Sequence, residues 1–115
     1  MKIVTAANMM ISRQELITNV LPGRNEYFFL YDGKYKWSIS HLEEGDIYFL
    51  HYYPGNADLE ALAAEQNWNE IDYMTYSSKT LGTKEAQQTF QDLYQIVKEK
   101  IYGIDTVLND IISGS

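Results

Sequence analysis

Apolar residues Leu16, Ile17, Val20 and Leu21 stand at helical spacing just after Ser12-Arg13-Gln14-Glu15. That tetrapeptide reads as a capping box, in which Ser12 accepts from the backbone N–H of Glu15 while Glu15 reaches back; Ile11 and Leu16 form the hydrophobic staple. A short first helix is predicted there, stopped by Pro22-Gly23. From Glu26 the period changes to two. Glu26 to Tyr31, Asp32-Gly33, then Lys34 to His41 is a strand, a turn and a strand, because Asp-Gly accepts the positive φ angles of a type I′ hairpin. A two-residue turn pairs Tyr31 with Lys34, and so Phe29 with Lys36, Phe28 with Trp37 and Tyr27 with Ser38. One face of the hairpin then carries Phe28, Leu30, Tyr35, Trp37 and Ile39 as the core face. The other carries Tyr27, Phe29 and Tyr31 beside Lys34, Lys36 and Ser38.

Glu43-Glu44-Gly45 turns the chain into a third strand, Asp46 to Tyr53, apolar on both sides. A type I turn with a bulge at Gly45 brings Phe49 beside Trp37; a loop one residue different brings Leu50 there instead, since a one-residue slip exchanges the faces. The bulge is the preferred expectation. After Pro54-Gly55-Asn56, a short helix is predicted over 57–66 with Leu59, Leu62 and Ala63 inward, and a fourth strand over 70–78 pairs at an edge the pattern does not specify. Thr83 caps a last helix in which Ala86, Phe90, Leu93, Val97, Ile101, Ile104, Leu108 and Ile111 recur every three or four residues. Run straight from Lys84 to Ile112, that helix would span about 43 Å, against a radius of gyration of about 13 Å for a compact domain of this size. A kink or break at Gly103 is therefore expected, with Asp105 as a second cap; otherwise the distal half projects and pairs with another copy.

The predicted fold class is α+β: helix, three-stranded antiparallel meander, short helix, fourth strand and long C-terminal helix packed on the sheet. A chain of 115 residues has room for one domain, here 1–112, leaving a flexible tail at 113–115. Hydrophobic residues at 45% and only nine Gly plus Pro are the composition of a chain that folds. The absence of cysteine removes disulfide frameworks, thiolate catalysis, zinc fingers and iron–sulfur clusters. No apolar run approaches the ~20 residues of a membrane-spanning helix, and the start Met1-Lys2-Ile3-Val4 lacks the pattern of a secretory leader. A soluble cytoplasmic protein is the expectation.

A net charge of -7, from nine Lys and Arg against sixteen Asp and Glu, disfavours direct grip on nucleic acid or an anionic membrane. The charge is uneven: residues 54–78 hold Asp58, Glu60, Glu65, Glu70 and Asp72 with no Lys or Arg, a local charge of -5. Such a segment keeps a protein soluble or steers a basic partner. Ten of the sixteen aromatics are tyrosines, and Tyr27, Phe29 and Tyr31 on one strand face offer large contact area at low conformational cost. That face meets a partner unless the chain's own helices cover it.

Enzyme chemistry has thinner support. His41, His51, Glu43, Glu44 and Asp46 cluster around the second turn, but the histidines stand about 10–13 Å apart along the sheet, and the acids lack the alternation of a calcium loop. No metal and no cofactor are expected. Leu81-Gly82-Thr83-Lys84 lacks the order of a phosphate-binding loop and reads as a turn followed by a helix cap.

The order of elements is loosely similar to that of the small acidic secretion chaperones of bacterial type III systems, which dimerise. The likeness is one of topology, carries no residue motif and implies no site residues. The leading expectation is thus a non-enzymatic protein-binding module, inhibitor, immunity-type or chaperone-like. Asp58, Glu60, Glu65 and Asp72 would steer a basic partner, with Tyr27, Phe29 and Tyr31 as contact area. The competing expectations are a small-ligand or enzyme pocket between the sheet and the last helix, using Trp37, His51 and Tyr52, and a homodimer paired through Ile101, Ile104 and Leu108.

Overall fold

The computed structural model describes residues 1–114; Ser115, the end of the expected tail, lies outside the described residues. The fold is α+β, with an N-terminal helix, a five-stranded antiparallel sheet and long C-terminal helices packed on it. The elements are α1 (Lys2–Ser12), β1 (Ile17–Pro22), β2 (Tyr27–Tyr31), β3 (Tyr35–Leu42), β4 (Ile47–Tyr53), α2 (Leu59–Ala64), β5 (Met74–Ser77), α3 (Ser78–Leu81), α4 (Lys84–Tyr102) and α5 (Ile104–Ile112). The strands lie in sequential order, each antiparallel to the next.

The beginning of the chain corrects the sequence reading. Ser12 ends a helix instead of starting one, Gln14–Leu16 makes a single 3₁₀ turn, and the predicted helical segment is strand β1. A β-bulge explains the confusion. The ladder pairs Thr18 with Leu30 and then Leu21 with Phe28, so Asn19 and Val20 together oppose Phe29, and Asn19 takes a φ of 55°. The extra residue puts Ile17 and Val20 on the same side, where both pack in the helix-side core. One bulge turns a period of two into a spacing of three, which imitates a helix. Helix α1 was hidden by a weak signal: its inward stripe of Val4, Ala7 and Met10 has no side-chain cap before it.

The Asp32-Gly33 turn forms with both residues at positive φ, and Lys34 N–H donates to Tyr31 O at 3.3 Å. Lys34 then stays out of the ladder, so pairing resumes at Tyr31–Tyr35 and continues through Leu30–Lys36, Phe29–Trp37, Phe28–Ser38 and Tyr27–Ile39. The expected Tyr31–Lys34 register is therefore wrong by one residue. The slip moves Trp37 and Ile39 to the same side as Tyr27, Phe29 and Tyr31, and Lys36 and Ser38 to the side of Phe28. In the next hairpin the preferred Gly45 bulge with Phe49 beside Trp37 is also corrected: Leu42 pairs with Ile47 and Ile39 with Leu50, so Leu50 takes the inner position. The fourth predicted strand shortens to β5 and pairs with β4.

These registers give the sheet two apolar faces, each with its own cover. On one side Phe29, Ile39, Leu50 and Tyr48 pack under α1 and α4, against Ala7, Met10, Phe90, Leu93 and Val97. On the other, Phe28 and Tyr53 pack under α2, against Leu59 and Leu62. A fully buried aromatic or aliphatic side chain contributes about 1.5–3 kcal/mol relative to exposure, so neither face can be left to water. Thr83 caps α4 as expected, its Oγ1 accepting from Ala86 N–H at 3.0 Å. The last helix breaks at Gly103, which takes φ 61° and ψ 32° while its N–H bonds back to Glu99 and Lys100. Beyond it, α5 contains no buried residue.

Candidate functional site

The hairpin aromatics are core residues in large part. Phe29 is fully buried, and Tyr27 and Tyr31 are half-buried against the same cluster. Helix α4 covers this end of the sheet with Tyr94, whose ring lies 5.7 Å from Tyr27, 5.7 Å from His41 and 5.6 Å from Tyr48. Burial raises the Tyr94 phenol above its ordinary range. The chain's own helices thus cover the face that the sequence left open between self-cover and a partner, and Phe29 is not available for contact.

The three residues expected to share a pocket are separated by the sheet. Trp37 and Tyr52 lie side by side on the helix face, ring centroids 5.0 Å apart. His51 points to the opposite face, its Nδ1 2.9 Å from Thr75 Oγ1 and its ring stacked with Phe49 at 6.3 Å. Burial lowers its pKa below the usual 6.5 by disfavouring the charged form. The space between the sheet and α4 is occupied by Phe90, Leu93 and Val97. A pocket uniting Trp37, His51 and Tyr52 in that layer does not exist. What Trp37 does line is an open apolar cleft at the start of α1, with Met1, Ile3, Ala6, Tyr76 and Leu81, and its indole Nε1 is buried without an acceptor among the described residues.

The sheet likewise separates the two histidines. His41, on the α4 side, stacks on Tyr48 at 4.2 Å and pairs through Nε2 with Asp46 Oδ1 at 2.7 Å. Among the described residues no three His, Asp or Glu side chains gather as a metal site. Gly82 ends α3 in the left-handed region and Thr83 caps α4, so the turn there is spent on helix termini.

The acidic segment lies on the α2 side of the sheet. Asp58 caps α2, its Oδ1 accepting from Ala61 N–H at 2.8 Å, and Glu65 Oε1 accepts from Asn67 N–H at 2.8 Å. Glu60, Glu70 and Asp72 are exposed. Among the described residues none of these five carboxylates has a Lys or Arg in ion-pair contact. Lys36 shares hollows with them: it lines one small cleft together with Glu70 and Asp72 and another with Asp58 and Glu60. Its ammonium donates to the carbonyls of Gly55 and Ala57, the latter at 2.7 Å, which ties the loop before α2 to β3. Tyr73 joins this surface. It is 46% exposed and packs edge-on against Trp68, ring centroids 6.0 Å apart. Sequence reasoning passed over Tyr73 because it counted the aromatics of the meander; its position beside Asp72 was the available signal.

No helix is long and apolar enough to cross a membrane among the described residues. The fold and surfaces define an antiparallel meander covered by α1 and α4 on one face and by α2, with the acidic segment around it, on the other. Comparisons with protein-family models, curated proteins and solved structures find no match to this chain, so the functional reading rests on its surfaces.

Proposed function

We propose that the protein is a soluble, cytoplasmic, non-enzymatic protein-binding module, inhibitor, immunity-type or chaperone-like, that receives a partner with a basic surface on its α2 face. The observation that carries the reading is the set of carboxylates Asp58, Glu60, Glu65, Glu70 and Asp72, uncompensated by any paired Lys or Arg among the described residues in a chain of net charge -7. Uncompensated charge of one sign raises the encounter rate with the opposite sign and repels like partners. Tyr73, rather than the buried Phe29, supplies aromatic contact area next to that charge.

The test takes the partner captured from native cells and follows association by stopped flow across ionic strength. Glu60→Lys with Asp72→Lys reverses two charges that make no structural bond. It is expected to slow association at low salt by about tenfold and to flatten the salt dependence. An on-rate indifferent to salt and to both substitutions would sink the reading.

A further inference from the structure

The sheet ends in two edges, β1 and β5, and they differ in protection. An open edge is a row of unpaired N–H and C=O groups that templates another strand, and bulges, proline and charged side chains are the usual defences. Strand β1 has two of them, the bulge at Asn19 and Val20 and a proline, Pro22, at its end. Strand β5 has none: Met74–Ser77 contains no proline and no charged residue, and it pairs with β4 without a register shift. The chain is already extended at Ile71, with φ -103° and ψ 122°, and is still extended at Ser77, with φ -114° and ψ 132°. No residue between them takes a positive φ. Among the described residues, no backbone hydrogen bond reaches 72–77 from the side away from β4. Asp72, Tyr73, Met74 and Thr75 are exposed in succession, so no helix or loop covers this edge.

We propose that β5 receives an extended segment of the basic partner as a sixth, antiparallel strand. The inference rests on the proposed function and names the part of the partner that docks. Two observations choose the occupant. Donors and acceptors that alternate along an edge are satisfied together by another extended backbone, which a helix or an apolar ligand cannot supply. The flanking charge then selects which backbone. Glu70 and Asp72 stand exposed at the leading end of β5, with Glu65 before them, and residues 54–78 contain no Lys or Arg. Lys36, which shares a hollow with Glu70 and Asp72, has its ammonium on the Gly55 and Ala57 carbonyls. Lys79 stands exposed just past the other end. An antiparallel addition lays the C-terminal end of the incoming segment beside Asp72 and its N-terminal end toward Lys79, so the segment carries its Lys or Arg near its C-terminal end. Tyr73 and Met74, 46% and 56% exposed, offer it apolar contact. A second copy is the poorer occupant, because it brings the same carboxylates and a net charge of -7.

The probe is a short synthetic peptide alternating valine and threonine with two lysines at its C-terminal end, titrated to about 2 mM into the isotope-labelled full chain at low salt. Amide shift changes and slowed hydrogen exchange are expected at 72–77. The same peptide with its lysines moved to the N-terminal end is expected to bind about fivefold more weakly. Backbone N-methylation removes the peptide's donors and should abolish binding. Residues of an antiparallel strand bond alternately toward β4 and outward, so one of Met74→Pro and Thr75→Pro spares the β4 ladder. That variant is expected to keep its circular dichroism and lose the peptide. No shift at that concentration, shifts confined to α2, or equal binding of the N-methylated or lysine-moved peptide would each overturn the proposal. So would a wild-type dimer that the folded proline variant dissolves, since a second copy would then fill the edge. If the captured partner associates with the expected salt dependence while 72–77 stay unprotected in the complex, the proposed function stands and this inference alone fails.

Discussion

Phe29 separates the two fates a hairpin aromatic can have, contact surface or core. Its side chain is fully buried among Ala7, Met10, Ile17, Ile39, Leu50 and Phe90. Phe29→Ala removes a whole ring from a layer pinned by two helices and three strands, so the site cannot collapse to fill the gap. Both the lost transfer free energy and the residual cavity then count, and the expected destabilisation is about 3–5 kcal/mol. For a domain holding about 5–15 kcal/mol in all, that is a large share. With a urea m-value of about 1–3 kcal/mol/M, the midpoint should fall by about 1–5 M with little change in slope. The assay is equilibrium urea unfolding followed by Trp fluorescence and far-UV circular dichroism, with Tyr35→Ala, at an exposed position of the same hairpin face, as control. The control should shift by less than about 0.5 kcal/mol. A Phe29→Ala midpoint within that same margin of wild type would refute both the Phe29–Trp37 register and the burial of this face.

Two further outcomes follow from polar groups inside the sheet. Ser38 Oγ and Tyr53 Oη lie 2.8 Å apart with Ser38 fully buried, and burial pushes the Tyr53 phenol up to about 12. Ser38→Ala strands the Tyr53 hydroxyl and should cost about 1–3 kcal/mol in chemical denaturation, whereas Ser38→Ala with Tyr53→Phe should recover part of the loss. His51 titrates below 6.5 in the folded protein because burial disfavours its charged form. The unfolded chain therefore binds that proton more readily, so the His51 contribution is whole above about pH 6.5 and is lost as pH falls toward the depressed native value. Thermal melts of wild type and His51→Gln across that window should converge or cross as pH drops. Parallel melting curves would show that His51 is not the group responsible.

Much of the fold could be read locally because it depends on local chemistry. Asp32-Gly33 accepts positive φ, Thr83 offers an oxygen to Ala86 N–H, and Gly103 takes the left-handed cap that ends α4. These are properties of residues and their immediate neighbours, and the sequence states them. The acidic stretch between Asp58 and Asp72 was legible in the same way, as a count of charges. Failures came where a distant partner decided. The spacing of Ile17 and Val20 has two readings, a helical turn or a bulged strand, and only pairing with β2 selects the second. The placement of Lys34, inside or outside the ladder, reverses which aromatics share a face with Trp37, and that choice was made by packing under α1 and α4.

The candidate site followed the same division. Tyr27, Phe29 and Tyr31 were correctly grouped on one strand face, but whether water, a partner or the protein itself covers that face is a statement about α1 and α4, which lie outside the hairpin, α4 of them far along the chain. Trp37, Tyr52 and His51 looked like neighbours along adjacent strands, yet the pleat sends His51 to the other side. By itself the sequence determined composition, charge placement, the Asp32-Gly33 turn, the Thr83 cap and the break at Gly103, whereas the caps expected at Ser12 and Asp105 do not form. The tertiary structure alone decided register and cover, because both depend on burial free energy summed over segments remote in the chain, and no local pattern encodes that sum.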